Sequence, residues 1–395
     1  MKLKKFFAGV LAAAMMLTVG ATAAFATTGS GSSTNSFGKN EGEIVLTDSL
    51  TLTKHYEVVK GKAPLGRFKF DISYVGSKDL ETGKTFTAPS SFDQVEAVFT
   101  KDSGQNGTET GLAVGNYSAT FNIPMSALGL GSFNGTGKFA YKISEVDDHY
   151  PGVTYNTDSG NLYLIVTVTH KTTGDKHEIV PNEYNYSAAL YRTSGDVTSV
   201  DQATAGTKVE AKDAFHNTYG NKDDNKVNAV ELKKIVHGNF ADLGKEFTFD
   251  VIFNKGDAGK AYGPIMLTNS DNVSIKVCEQ EFSGNELAYG TTYTVTLKHQ
   301  QSVTFGNLPQ GVTYTMTENG KDSTGKVDGV YDVSGEANDT VTMGNEDKAV
   351  TIENTNQASP DMGVVLDNAP YIAMLAIVAI GGVALMLNKR RRDEE

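Results

Sequence analysis

One cysteine, no tryptophan and only nine prolines occur in a chain of 395 residues. With Cys278 alone, no intrachain disulfide can form, which removes the staple common in exported proteins. Proline is too scarce, and the 41 glycines too irregularly spaced, for a collagen-like or low-complexity chain. Basic residues are outnumbered, 35 against 47 acidic, for a net charge of -12. A nucleic-acid binder needs clustered Lys and Arg against phosphate, so that class is set aside. Metal motifs are missing too. His170 and His177 flank a turn at a spacing that matches no zinc site, and Lys222-Asp-Asp-Asn225 lacks the order of a calcium loop. No phosphate-cradling loop and no Ser/His/Asp constellation occurs, so neither cofactor nor metal is expected. Cys278, in the strand-like run Val273 to Cys278, reads as a buried small residue.

Long hydrophobic runs are absent from the body and occur only near the ends. Lys2, Lys4 and Lys5 precede an apolar run, Phe6 to Gly20, and Ala24-Phe-Ala26 matches an A-x-A cleavage site. Residues 1–26 therefore read as a secretory signal peptide, cut between Ala26 and Thr27. Residues 27–43, rich in Gly, Ser, Thr and Asn, read as a flexible lead-in. Near the other end, Ser359-Pro-Asp-Met-Gly363 precedes an apolar run at 371–387 and a basic cluster, Lys389 to Arg392. A run of that length is just enough to span a membrane, with the basic cluster on the cytoplasmic side.

Between the ends one pattern occurs twice. Phe68-Lys-Phe70-Asp-Ile72-Ser-Tyr74 and Phe247-Thr-Phe249-Asp-Val251-Ile-Phe253 alternate large apolar and other residues. That is the period-two mark of a strand with one buried face. Each is preceded by a strand-like stretch carrying lysine, Leu50 to Lys54 and Val230 to Lys234. Each is followed by a Tyr-x-x-x-Glu element, Tyr141 to Glu145 and Tyr314 to Glu318, and each copy closes on a strand ending in Asn, at Asn217 and Asn354. Many short strands between Gly/Asn/Asp turns, with no sustained helical period, predict tandem β-sandwiches. The polar run Gly220 to Lys226 marks their junction.

Lys early, Glu midway and Asn last is a reactive order. A neutral lysine amine can attack an Asn side-chain amide, release ammonia and leave an isopeptide bond. Burial supplies the neutral amine, because charge is costly away from water. A Glu in the same pocket can hold and pass the proton, and folding supplies the effective concentration. Each reaction would run once, without turnover, so no enzyme in the ordinary sense is expected.

The same order of landmarks resembles the isopeptide-containing domains of streptococcal-type major pilins, which have the Ig-like collagen-adhesin B-type fold. The resemblance covers nearly all of the mature chain and implies all-β domains at 44–219 and 228–357, joined by a linker at 220–227. Carried over by position, it implies the sets Lys54, Glu145, Asn217 and Lys234, Glu318, Asn354, with Glu145 and Glu318 promoting bond formation. Lys233 neighbours Lys234, and alternation alone leaves open which of the two points inward. The C-terminal order, segment 358–395, resembles the sorting signal of Gram-positive surface proteins, usually written L-P-x-T-G, apolar segment, basic tail. Pro360 and Gly363 match it, Ser359 stands for Leu, and Met362 stands for Thr around Asp361. The resemblance implies cleavage by a sortase between Met362 and Gly363 and transfer to an amine of the next subunit or of peptidoglycan. Lys208 and Lys212, before Asn217, are the implied acceptor candidates. The expected protein is a secreted pilus shaft subunit at the cell surface, with sortase and neighbouring pilins as partners and an unidentified host ligand. A monomeric adhesin of the same fold, held by its C-terminal anchor, is the alternative.

Overall fold

The computed structural model describes residues 49–101, 107–108, 110–155, 161–220, 225–269, 273–358 and 369–392. The expected signal peptide with its Ala26/Thr27 cleavage point, the lead-in and Ser359 to Gly363 lie outside them. Two β-sandwiches follow one another along the chain, as the strand patterns predict. In the first, one sheet orders the strands Gly115–Pro124, Ser49–Val58, Phe215–Tyr219 and Val153–Tyr155. The facing sheet has six strands, with Gly137–Glu145 between Leu162–Thr173 and Gly66–Lys78 and with Val95–Phe99 and Thr207–Val209 at its edges. In the second, Val227–His237 lies between Ser302–Pro309 and Lys348–Thr355 in one sheet, and Phe247–Asn254 lies between Thr292–Leu297 and Thr313–Glu318 in the other.

In both halves the first and last long strands are parallel neighbours. Ser49–Val58 pairs with Phe215–Tyr219, and Val227–His237 pairs with Lys348–Thr355. Alternation explains which residues they bury. Leu50, Leu52, Lys54, Tyr56 and Val58 form one inward row, and Val230, Leu232, Lys234 and Val236 form the other. A fully buried Leu or Val stabilises by about 1.5–3 kcal/mol. A lysine in such a row does the opposite unless its charge is paired or lost.

Aromatic rings fill the first core. Phe70 stacks on Phe121 across the sandwich, with centroids 4.0 Å apart, and Tyr56, Phe68 and Phe99 meet edge to face. Cys278 departs from the sequence expectation. It is exposed, in a left-handed turn at φ 48° just past the strand Ser274–Val277. It shares the parity of Ser274 and Lys276, on the face opposite the buried Ile275, so alternation itself turns its side chain outward.

The halves meet at a polar joint. Asn307, buried and in the left-handed region at φ 63°, donates to the carbonyls of Lys62 (2.8 Å) and Pro264 (2.7 Å). Its oxygen accepts from the Lys62 N–H (3.1 Å) and from Tyr219 Oη (3.0 Å). Lys62, itself buried, pairs with Glu286 across the joint. Gly61 and Gly263 permit this approach, because a Cβ at either would lie about 2 Å from Asn307 Oδ1 or the Lys62 carbonyl oxygen.

At the C-terminus Ala369–Arg392 is helical. Its apolar side chains from Tyr371 to Val383 are exposed. Among the described residues no helix is long and apolar enough to cross a membrane. The side chains of Leu385 and Leu387, at the end of the expected 371–387 span, are outside that description.

Candidate functional site: two buried Lys, Glu and Asn clusters

Lys54 and Asn217 come together through strand register. Tyr56 is the pairing partner of Asn217, so Lys54 lies two residues from it on the same inward face. Glu145 approaches from the opposite sheet, at the end of Gly137–Glu145 and in register with Phe70. Its carboxylate bridges the other two. Lys54 Nζ donates to Oε2 at 2.8 Å, and Asn217 Nδ2 donates to Oε1 at 2.7 Å. All three are buried, and the ring of Phe68 lies 5.1 Å from the amine.

The second half repeats this arrangement. Val236 is the partner of Asn354, which puts Lys234 two residues away on the shared face. Glu318 again closes its strand, in register with Phe249. Lys234 Nζ donates to Glu318 Oε2 at 3.0 Å, and Asn354 Nδ2 donates to Oε1 at 2.6 Å. The rings of Phe247 and Phe249 lie 4.5 and 5.4 Å from the amine. Asn354 Oδ1 is buried with no hydrogen-bond partner among the described residues. The open choice between the two lysines is settled by register: Lys234 is fully buried, whereas Lys233 points to the other face and is partly exposed.

Electrostatics act on both clusters in the same sense. Burial lowers Lys54 and Lys234 from the usual 10.5 to about 8, against the pull of the adjacent Glu in each case. Burial likewise raises Glu145 and Glu318, opposed by hydrogen bonds from the lysine and the amide. Each pair is therefore driven toward a neutral amine beside a protonated acid. That combination can attack an amide carbon and protonate the departing nitrogen. No group of His, Cys, Asp and Glu able to hold a metal occurs among the described residues.

Lys208 is exposed on the edge strand Thr207–Val209, opposite Tyr191. Lys212 is exposed in the short turn Ala211–Asp213, with its amine 2.9 Å from Glu210, which raises its pKa. Its carbonyl oxygen lies 2.5 Å from His55 Nε2. One neighbour of the second cluster carries no sequence signal. Glu336 accepts the backbone N–H of Glu318 at 2.6 Å and holds Lys321 Nζ at 2.8 Å. It arrives 18 residues later, between the strands Tyr331–Ser334 and Ala337–Thr342, so no local motif marks it.

Over 362 residues the chain is 25% identical to a pilin of Streptococcus pyogenes serotype M1, covering 88% of this chain and 93% of that protein. It resembles a streptococcal-type pilin. Residues 228–356 match a family described as a domain of unknown function (DUF7601). Among solved structures, the major pilin of Streptococcus pyogenes matches at 21% identity and a TM-score of 0.47, over 78% of this chain and 99% of that one. The T-13 major pilin of the same species matches at 20% identity and a TM-score of 0.42, over 78% and 97%.

Proposed function

We propose that this pilin-like chain is a shaft subunit of a cell-surface pilus, internally stapled by the isopeptide bonds Lys54–Asn217 and Lys234–Asn354. The observation that carries the reading is the recurrence of one geometry. Lys, Glu and Asn meet at the same strand offsets and with the same bridging carboxylate in both halves. In each, the neutral amine attacks the Asn side-chain carbon. The acid, Glu145 or Glu318, shuttles the proton from the attacking nitrogen to the leaving one. The new C–N bond forms as the old one breaks, and ammonia departs. Water is kept out by the Phe residues around each amine, and orientation within the fold replaces collision.

On this reading the chain is organised as domains at 44–219 and 228–357 with a linker at 220–227. It is exported by the segment at 1–26, held by 371–387 in the membrane, and cut by sortase between Met362 and Gly363. The acyl group then passes to a lysine of the next subunit, with peptidoglycan as the terminal acceptor. Lys208 is the favoured nucleophile, since a sheet edge can take an incoming extended segment as an added strand, whereas the Lys212 amine is engaged by Glu210 at 2.9 Å.

Two measurements test this. Intact mass of the purified chain should fall short of the sequence mass by about 17 Da for each bond, the ammonia lost in nucleophilic substitution at the amide. A mass equal to the sequence rules the staples out. Cell-wall extracts boiled in denaturant should give a ladder of high-mass species, lost on Lys208→Arg; a single monomer band sinks the shaft reading.

A further inference from the structure

The two clusters differ in what flanks the amide. Asn217 is paired with Tyr56 on one side and with Tyr155 on the other, and side chains opposite each other on neighbouring strands share a face within contact range. At the same two places beside Asn354 stand Val236 and Val333. The tyrosines of the first half also converge on one ring. Phe68, whose centroid is 5.1 Å from Lys54 Nζ, is met by Tyr56 at 5.1 Å, Tyr155 at 5.8 Å and Tyr150 at 5.9 Å. Tyr150 Oη donates to the Arg67 carbonyl at 3.1 Å. Tyr56 is 1% exposed and the Tyr155 hydroxyl is buried, yet neither oxygen has a hydrogen-bond partner among the described residues. Burial raises both phenols well above their usual 10.0, and Glu145 adds to the effect at Tyr155, so each keeps a proton to donate. In the second half, Tyr331 touches Phe247, the ring beside the Lys234 amine, but its oxygen already accepts the Asp242 N–H at 3.0 Å.

Two unbonded hydroxyls inside one core are costly, and small polar molecules settle against such groups. We propose that the Tyr56 and Tyr155 hydroxyls form a binding site for a small neutral hydrogen-bonding molecule: water in the finished fold, and ammonia while the first isopeptide bond closes. Water there stands on the geometry alone, whereas ammonia rests on the isopeptide reading and deepens it. As the bond from Lys54 Nζ to Asn217 Cγ forms, the bond from Cγ to Nδ2 breaks. Glu145 passes the amine proton to Nδ2, which leaves as ammonia. A phenol then donates to the lone pair of that nitrogen and accepts one of its hydrogens, which draws it away from the new amide carbon. With valines at both equivalent places, the second half releases its ammonia without this help. Loss of the two hydroxyls should therefore slow the first bond alone.

The test uses the full chain made by cell-free translation, quenched in acid denaturant at intervals and digested. The joined Lys54–Asn217 and Lys234–Asn354 peptides are then counted in the same sample. Tyr56→Phe with Tyr155→Phe keeps both rings and removes both hydroxyls. The first bond should form about tenfold more slowly, the worth of one hydrogen bond to the leaving nitrogen, while the second keeps its rate. Tyr150→Phe is the control, since it removes a phenol on the same ring whose hydrogen bond goes elsewhere; both rates should stay as they were. An unchanged first rate in the double variant, or an equal slowing by Tyr150→Phe, overturns the ammonia site and leaves the isopeptide reading intact. A parent chain that yields neither joined peptide overturns both. Water is read separately, in a high-resolution crystal structure of the parent. One ordered oxygen within about 3.2 Å of both hydroxyls is expected, and hydroxyls that face only apolar atoms overturn the site.

Discussion

Between its bridging carboxylate and its closing Asn, the first half carries a long hairpin, Leu162–Thr173 with Glu178–Arg192, and a short helix, Val200–Thr204. The second half fills the same interval with Lys326–Val327, Tyr331–Ser334 and Ala337–Thr342. The clusters nevertheless keep one geometry, because none of their three members depends on that interval. Lys and Asn are fixed by the parallel pairing of first and last strands, and Glu by the strand in register with Phe70 or Phe249. Chain length can thus vary where the reactive register does not. The remaining differences are local. Glu318 has no exposed side-chain surface while Glu145 keeps 4%, and among the described residues only the second acid has a Glu holding its backbone N–H, in the manner of Glu336.

The sharpest way to break the comparison is to remove one acid at a time. Glu145→Ala should abolish the first bond alone, and Glu318→Ala the second alone, read as a mass deficit halved in each variant. By loop-closure entropy each lost bond should cost on the order of 5 kcal/mol, nearly equal in the two halves because the dependence on loop length is logarithmic. Denaturant unfolding of the two variants checks that equality. A large asymmetry would mean that the closed loops retain structure when unfolded.

Next in size is the joint. Asn307→Ala should cost about 3 kcal/mol, since it leaves Tyr219 Oη and the backbone groups of Lys62 buried without partners. Calorimetry should show the unfolding of the two halves separating. A single transition at the unchanged temperature would remove the joint from any role in coupling them.

Titration sharpens the comparison further. In Asn217→Ala with Asn354→Ala, the lysines and acids stay unreacted. Folded lysines near 8, against 10.5 when unfolded, leave the unfolded chain with more bound protons between those values. Stability therefore rises with pH from about 8 to 10.5. The raised acids act in the opposite sense, so stability falls as pH climbs past 4.5 through their folded values. Both limbs should appear in denaturant midpoints measured across pH. A stapled parent has amide nitrogens in place of both amines and should lack the alkaline limb.

The smallest expected effect is at Glu336. Replacing it by Gln weakens one charge-assisted hydrogen bond to Glu318 N–H, worth about 1 kcal/mol. The second bond should form incompletely while the first goes to completion in the same molecule, as read by peptide mapping. Equal completion would assign Glu336 to the pairing with Lys321 alone.

What could be read before the fold was the set of strands and the Lys, Glu and Asn residues that the fold brings together, because period-two alternation and the terminal Glu and Asn are local signals. Lys233 and Lys234 could not be separated, since a one-residue shift of register exchanges them. Only the offset of Val236 against Asn354 decides it. Parallel pairing of first and last strands was equally hidden, being a contact between the extremes of each half. Cys278 misled because its apolar neighbours Val273, Ile275 and Val277 hold the opposite parity, which leaves the cysteine on the outward face with Lys276. Asn307 left no trace because Lys62 and Tyr219 lie far from it in sequence, and Glu336 because no local motif joins it to Glu318, 18 residues earlier.

Asn307 also bears on how such chains can be recombined. The family match spans residues 228–356, as though that segment were a self-sufficient module. Yet inside it Asn307 completes its hydrogen bonds with Lys62 and Tyr219 of the preceding segment, across an approach that only Gly61 and Gly263 permit. A module exchanged at the obvious boundary would carry an amide cut to fit a neighbour it no longer has. Exchange between relatives should preserve these residues as a linked set, and the unit of inheritance is then the pair of sandwiches.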